Sequence, residues 1–149
     1  MKLNTLFSIK PAGPIGQCRA VPVTWKAGAP PAILTVTSEN FDVDPYIEMF
    51  FCPTDTLKLT LIALDGSVIW QRDLGRGVIP GVWFCPVFAF DLDGDGVDEI
   101  WFVNNTDPTH PLGVSHYRLE RLDATTGDST GQWAWPNDPE QRLSHTFRN

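Results

Sequence analysis

Hydrophobic and polar residues alternate in several short runs along this chain of 149 residues. Alternation of this kind predicts β-strands with one buried face, because successive side chains of a strand point to opposite sides. In chain order, the predicted strands cover residues 32–37, 46–52, 57–64, 68–71, 83–90, 100–103, 116–122 and 132–135. The runs are short and bounded by turn residues, so the pattern predicts an all-β protein.

A turn motif marks a repeat in this pattern. Asp65-Gly66 separates two strand-like runs, and Asp-Gly in that place is the strongest short-range signal for a hairpin. Leu64-Asp65 has a counterpart in Leu122-Asp123, and each pair is followed by a turn and a strand that contains tryptophan. The sequence therefore predicts two units of about four antiparallel strands each, an arrangement typical of β-propeller blades.

Two such units cannot close a ring, because propellers have about four to eight blades. We therefore expect an incomplete part of a larger propeller, in which a Pro/Gly-rich segment (1–30) precedes a first blade (31–82), a second blade (83–136) and the start of a further blade (137–149). The Pro/Gly-rich segment is predicted to contain no long regular element. Two units packed face to face as a sandwich are the alternative.

Composition and charge exclude several classes of partner. The chain has 18 acidic residues against 11 Lys and Arg, and the basic residues are scattered, so a nucleic-acid footprint is not expected. No stretch reaches the roughly 20 apolar residues of a membrane span, and the N-terminus does not have the form of a signal peptide. The three cysteines have no CxxC spacing, which argues against a zinc knuckle.

An acidic loop follows the predicted strand 83–90, with the sequence Asp91-Leu92-Asp93-Gly94-Asp95-Gly96-Val97-Asp98-Glu99. Carboxylates at alternate positions let a tight turn wrap several oxygens around one hard cation, and the glycines supply the backbone angles that this requires. The predicted calcium ligands are Asp91, Asp93, Asp95, the carbonyl of Val97, and Glu99. Asp98 is predicted to point away, because a fifth carboxylate would leave uncompensated charge. A solvated acidic turn that binds nothing is the alternative.

Residues 88–103, which contain this loop, resemble the FG-GAP type of propeller repeat, in which an Asp-rich calcium loop leads into an apolar strand. Over a wider span, residues 70–75, the loop, and His116-Tyr117-Arg118 look like the N-terminal blades of β-propeller polysaccharide lyases. The likeness is to the lyases that act on ulvan and, more distantly, to rhamnogalacturonan lyases. It implies a seven-bladed ring, a secreted or cell-surface protein, bound Ca²⁺, and an acidic polysaccharide as partner.

Lyases of this kind cleave a uronate-containing chain by β-elimination. The reaction needs a cation or donor beside the carboxylate, a base for the C5 proton, and an acid for the leaving oxygen. The resemblance implies His116 as a base or acid, His145 as a second active-site histidine, and Arg148 as the residue that faces the carboxylate. Asn105 and Tyr117 are predicted to bind substrate. For both histidines, ordinary packing at a strand edge is an equally good interpretation.

The leading hypothesis is the N-terminal part of a calcium-binding polysaccharide lyase with an ulvan-type substrate, although the sequence leaves open whether the chain is an enzyme. A non-catalytic FG-GAP module that binds carbohydrate or protein is the alternative. If His116 and Tyr117 lie in one strand, their side chains face opposite ways, so only one can enter a common site. Trp133 and Trp135 share a strand face and are interpreted as buried aromatics rather than a sugar platform.

Overall fold

A computed structural model describes residues 3–5, 7–10, 13–41, 53–107 and 116–135. The strands in these ranges are β1 (Gln17–Val23), β2 (Ala32–Ser38), β3 (Lys58–Ile62), β4 (Val68–Asp73), β5 (Val87–Phe90), β6 (Glu99–Asn105), β7 (Tyr117–Asp123) and β8 (Ser129–Ala134). The described residues form no helix, and therefore none long and apolar enough to cross a membrane. The first sheet has the order β1-β2-β3-β4 and the second the order β5-β6-β7-β8, with every neighbouring pair antiparallel. The predicted all-β class with two four-stranded antiparallel units is confirmed.

The first sheet differs from the prediction in its first strand. Segment 1–30 was predicted to contain no long regular element, and no strand was predicted there, but it contributes the seven-residue strand β1, which pairs with β2 along its whole length. Pro22 is compatible with β1 because β1 is the edge strand of the sheet, where a missing amide need not interrupt the ladder. The predicted strand 46–52 lies outside the described residues.

The second sheet begins later than predicted. Strand 83–90 was predicted, but β5 starts at Val87. Residues 81–85 form a turn instead, in which the carbonyl of Gly81 accepts hydrogen bonds from the amides of Phe84 (3.2 Å) and Cys85 (2.8 Å). Pro86 has no amide to continue a ladder towards the turn. The predicted strands 100–103, 116–122 and 132–135 overlap β6, β7 and β8.

A hydrophobic core lies between the two sheets. It contains Leu34, Val36, Leu59, Leu61 and Trp70 from the first sheet and Ile100, Phe102 and Leu122 from the second. Within each strand these are alternate residues, as expected where one face of a sheet is buried. Each fully buried leucine contributes about 2 kcal/mol relative to exposure, so this shared face accounts for much of the stability of the pair.

Polar contacts cross the same interface. The indole Nε1 of Trp70 donates to the carbonyl of Ala124 at 2.9 Å. The Arg72 guanidinium donates to the carbonyl of Gly127 at 3.2 Å and to the Glu120 carboxylate at 2.6 Å. Gly127 has φ +76°, and a Cβ atom there would lie 2.8 Å from the Trp70 ring. The turn between β7 and β8 is therefore shaped to receive β4 of the first sheet.

Candidate functional site

The acidic loop connects β5 to β6, and its own backbone holds its side chains in place. Asp91 Oδ1 accepts hydrogen bonds from the amides of Gly94 (2.7 Å) and Asp95 (3.1 Å), and Oδ2 accepts from the amide of Gly96 (2.9 Å). Gly94 and Gly96 have φ of 78° and 87°, a left-handed backbone that other residues rarely adopt. The loop thus wraps around the Asp91 carboxylate.

Three carboxylates converge inside this loop. Oxygen atoms of Asp91, Asp93 and Asp95 all lie within 4.8 Å of one another. Oxygen ligands of Ca²⁺ lie about 2.3–2.6 Å from the ion, so two ligands on opposite sides are about 5 Å apart. This spacing fits a calcium ion. Glu99 turns back over the loop, where Oε2 accepts from the amide of Leu92 at 3.0 Å. Coordination by Glu99 and by the carbonyl of Val97 stays a prediction.

Asp98 points away from the three carboxylates, as predicted. Its Oδ2 accepts a hydrogen bond from the amide of Thr24 at 2.6 Å, and its own amide donates to the carbonyl of Thr24 at 2.8 Å. Thr24 directly follows β1, which is in contact with β5. This reciprocal pair of hydrogen bonds therefore attaches the loop of the second sheet to the end of β1 in the first sheet. The shape of the loop and the contact between the sheets are therefore coupled.

His116 lies immediately before β7 with a half-exposed side chain. Its Nδ1 is 3.9 Å from Asp107 Oδ2, which is too long for a direct hydrogen bond but close enough for an ion pair when the imidazole is protonated. The His116 carbonyl accepts from both the amide and the hydroxyl of Thr106 at 3.1 Å, which ties it to the end of β6. His145 and Arg148 lie outside the described residues.

Asn105 and Tyr117 are both buried, with 4% and 1% of their surface exposed. They face each other in the register of β6 and β7, and their side chains are hydrogen-bonded. Burial raises the pKa of Tyr117, and the proximity of Cys85 adds to this effect. The His116 side chain is half exposed and the Tyr117 side chain is buried. This difference is expected because successive side chains of a strand point to opposite faces. Substrate contact by Asn105 and Tyr117 stays a prediction, and the structure gives both a packing role.

An aromatic cluster on the second sheet was not predicted. The ring centroids of Trp101 and Trp133 are 5.3 Å apart, and the Arg121 guanidinium carbon lies 5.9 Å from the first and 5.7 Å from the second. Trp133 is 45% exposed, so the interpretation of Trp133 as a buried aromatic is wrong. It lies on an outer face of the sheet, away from the core. Trp101 and Arg121 are cross-strand partners in β6 and β7. The sequence alone could have predicted this cluster only if the pairing register of these two strands had been known.

A groove of about 670 Å³ lies on the outer face of the first sheet, another feature that sequence reasoning missed. Its lining includes Thr35, Thr60 and Lys58 from the sheet and Ile9 from the N-terminal segment. Lys58 Nζ lies 2.7 Å from the carboxylate of Asp55 in the groove wall. Burial acts to raise the pKa of Asp55, but hydrogen bonds from Glu39 and Lys58 outweigh it and hold the pKa at about 2.

Comparison with known proteins relates this architecture to polysaccharide lyases. No family model matches the chain. A stretch of 47 residues is 36% identical to rhamnogalacturonan exolyase YesX of Bacillus subtilis (strain 168), which is 32% of this chain and 8% of that protein.

Three solved structures share the fold, each with a TM-score of 0.63. They are rhamnogalacturonan lyase YesW (14% identity), exotype rhamnogalacturonan lyase YesX (16%) and the rhamnogalacturonan lyase PL11 of Bacillus licheniformis (15%). The matches cover 81%, 80% and 80% of this chain but only 23%, 22% and 23% of those proteins. The chain thus spans less than a quarter of each solved relative, and over the aligned part it has a polysaccharide-lyase-like fold.

Proposed function

We propose that this chain is part of a calcium-binding β-propeller polysaccharide lyase that cleaves a uronate-containing acidic polysaccharide by β-elimination. The observation that carries the proposal is the 36% identity over 47 residues to a rhamnogalacturonan exolyase. The shared fold supports it, because the likeness covers about 80% of the chain. The chain would supply one section of the enzyme, since it spans less than a quarter of these relatives.

Two substrates are consistent with this chemistry. The sequence resemblance favours ulvan, and the relatives found by comparison favour rhamnogalacturonan. Both polymers contain uronic acids, whose carboxylate acidifies the neighbouring C5 proton. We propose rhamnogalacturonan as the first substrate to test and ulvan as the second. Because either polymer is too large to enter a cell intact, we expect the protein to be secreted or held at the cell surface.

The proposed reaction moves one proton to the enzyme and one to the leaving group. A base takes the C5 proton, the electron pair forms a double bond between C4 and C5, and the bond from C4 to the glycosidic oxygen breaks. An acid then protonates that oxygen. His116 suits either role because its ring is half exposed and close to a carboxylate, Asp107. His145 would supply the partner role, and Arg148 would neutralise the uronate carboxylate.

Calcium is proposed to act on the structure rather than on the substrate. Asp91, Asp93 and Asp95 would hold the ion with Glu99 and the carbonyl of Val97, and the ion would neutralise their mutual repulsion. The same loop carries Asp98, whose contacts with Thr24 join it to the first sheet. Metal binding would therefore stabilise the contact between the two sheets as well as the loop.

An activity assay on the protein as isolated from its source tests the proposal. Incubation with rhamnogalacturonan or ulvan should give the ultraviolet absorbance of an unsaturated uronate, and a neutral galactan should give none. His116→Ala should lower the rate by about 10²–10⁴-fold, as for loss of a general acid or base. The control is His110→Ala, which removes a histidine between Thr109 and Pro111 that has no role in the proposed reaction, and it should leave the rate unchanged. If the protein binds either acidic polymer but produces no new absorbance, the lyase hypothesis is rejected and the alternative, a non-catalytic binding module, is favoured.

A further inference from the structure

Residues 74–86, the sheet connection, join β4 of the first sheet to β5 of the second. β5 and β7 begin at the same end of the second sheet, because both are antiparallel to β6, which lies between them. The sheet connection therefore reaches the second sheet at the end where His116 precedes β7. The acidic loop lies at the opposite end of this sheet, between β5 and β6.

The sheet connection also contacts the backbone close to His116. A Cβ atom added to Gly77 would lie 2.3 Å from the carbonyl oxygen of Asp107 and 2.8 Å from that of Asn105. Such a close approach of two backbones leaves room for glycine alone. The carboxylate of Asp107 is in turn 3.9 Å from the His116 ring. Arg76, which precedes Gly77, therefore belongs to the same part of the surface as the candidate catalytic histidine.

Most of the sheet connection is buried, and few of its side chains reach solvent. Residues 77–81 and 84–85 are buried. The exposed residues beside them are Arg76, Val82 and Trp83, and the tryptophan has 52% of its surface exposed. Because the buried residues anchor the segment, these three side chains are presented from fixed positions, as is typical of binding residues on a loop that a rigid scaffold holds.

Arg76 carries a positive charge that no described acid neutralises. Its side chain has no hydrogen bond or ion pair among the described residues. The carboxylate of Asp73, three residues earlier, is already engaged, since Oδ1 accepts from the amide of Gly75 and Oδ2 from the hydroxyl of Thr56, both at 2.8 Å. An unpaired guanidinium can bind a carboxylate through two parallel hydrogen bonds.

Trp83 lies on a turn that is held from two sides. The carbonyl of Gly81 accepts from the amides of Phe84 and Cys85, and both of these residues are buried. Arg19 of β1 donates to the Cys85 carbonyl through both terminal nitrogens, each at 3.1 Å. An exposed indole on such a turn offers a large, rigid apolar surface at little cost in conformational entropy.

We propose that Arg76 and Trp83 form a uronate-binding subsite on the sheet connection, in which the guanidinium binds the sugar carboxylate and the indole stacks on the sugar ring. The subsite holds a uronate other than the one that Arg148 would face at the cleaved bond. It deepens the proposed function and rests on its uronate-containing substrate, but not on β-elimination. The sheets pack through their faces, so this site at the strand ends stays open when further sheets are added.

Titration with two monosaccharides, followed by NMR of the 149-residue chain, tests the subsite with no glycosidic bond to cleave. Galacturonate and galactose differ only at C6, which is a carboxylate in the first and a hydroxymethyl group in the second. Arg76→Gln should weaken galacturonate binding by about tenfold and leave galactose binding unchanged. Lys26→Gln removes an equal charge from an exposed residue at the opposite end of the first sheet and should change neither affinity. Equal galacturonate affinities of these two variants would overturn the subsite.

Two substitutions of Trp83 test the stacking. Trp83→Phe keeps an aromatic face and should bind both sugars within about twofold of the parent chain, whereas Trp83→Leu keeps only apolar bulk and should weaken both by about fivefold. Equal affinities of the two variants would overturn the role of the indole.

The absorbance assay on the protein as isolated from its source keeps the subsite and the lyase apart. Galacturonate binding that depends on Arg76, without product from either polymer, rejects the lyase alone. Product without such binding rejects the subsite alone.

Discussion

Arg72 Nη2 lies 2.6 Å from Glu120 Oε1, and this ion pair joins β4 of the first sheet to β7 of the second. Glu120 is fully buried, and its other oxygen accepts from the side-chain amides of Asn104 (2.6 Å) and Gln132 (2.9 Å). The two amides are neutral, so Arg72 supplies the compensating charge from across the interface. The contact between the sheets is therefore specific as well as hydrophobic.

Replacing Arg72 by methionine should destabilise the chain strongly, because it leaves the Glu120 carboxylate buried without its cation. We expect Arg72→Met to lower the free energy of unfolding by about 3 kcal/mol, measured by urea denaturation. The exposed Lys26 provides a control, and Lys26→Met should change stability by less than about 0.5 kcal/mol. Equal stability of the two variants would contradict the role given to the ion pair.

Gly127 should not tolerate a side chain. Gly127→Ala introduces a Cβ atom 2.8 Å from the Trp70 ring at a residue with φ +76°. Gly28 has nearly the same φ, +73°, but no atom within 4 Å of the added Cβ. Both variants should lose about 1–2 kcal/mol to backbone strain. Gly127→Ala should lose about 1–3 kcal/mol more from overpacking. Equal losses in thermal or urea unfolding would show that Trp70 does not pack against this turn.

The acidic loop should bind calcium through Asp93. Calorimetry should detect binding to the parent chain, and Asp93→Ala should weaken it by about tenfold or more. Asp128→Ala removes an exposed acid outside the loop and should leave the affinity unchanged. Calcium at about 100 times its dissociation constant should also raise the free energy of unfolding by about 2.7 kcal/mol. No heat with the parent chain would reject the calcium site.

Asp55 should make stability depend on pH. Its pKa is about 2 in the folded chain against the usual 3.8, so the unfolded state binds the proton more tightly. The resulting stabilisation is fully present above about pH 4 and is lost as the pH falls towards about 2. Its contribution to the free energy of unfolding is at most about 2 kcal/mol. The free-energy difference between the parent and Asp55→Asn should therefore shrink between about pH 6 and about pH 2. A difference that stays constant over this range would contradict the lowered pKa.

Local patterns predicted much of this structure. The hairpin turns at Asp65 and Asp123 were found because the signal lies within a few residues, and in the structure each aspartate accepts hydrogen bonds from its own turn. The convergence of Asp91, Asp93 and Asp95 follows from their spacing in the same way. Strand β1 was not predicted because Pro22 and the nearby glycines are local signals against a strand. The pairing with β2 that stabilises it is a contact between separate segments of the chain.

Contacts between distant residues could not be read from the sequence. Arg72 and Glu120 are 48 residues apart, and nothing in either neighbourhood specifies the other. The same holds for Asp98 and Thr24, which are 74 residues apart. The candidate catalytic residues were predicted neither from a local pattern nor from a contact between distant residues. His116 was found through a resemblance, and its partners His145 and Arg148 lie beyond the described residues, so their roles stay predictions.

The mass of the products formed from rhamnogalacturonan by the protein as isolated from its source tests the central claim most directly. Elimination breaks the glycosidic bond without adding water, so the new non-reducing ends carry an unsaturated uronate and each such fragment lacks one water relative to a hydrolysis product. The account predicts fragments of this lighter mass. Fragments with the mass of hydrolysis products, or an intact polymer, would contradict it.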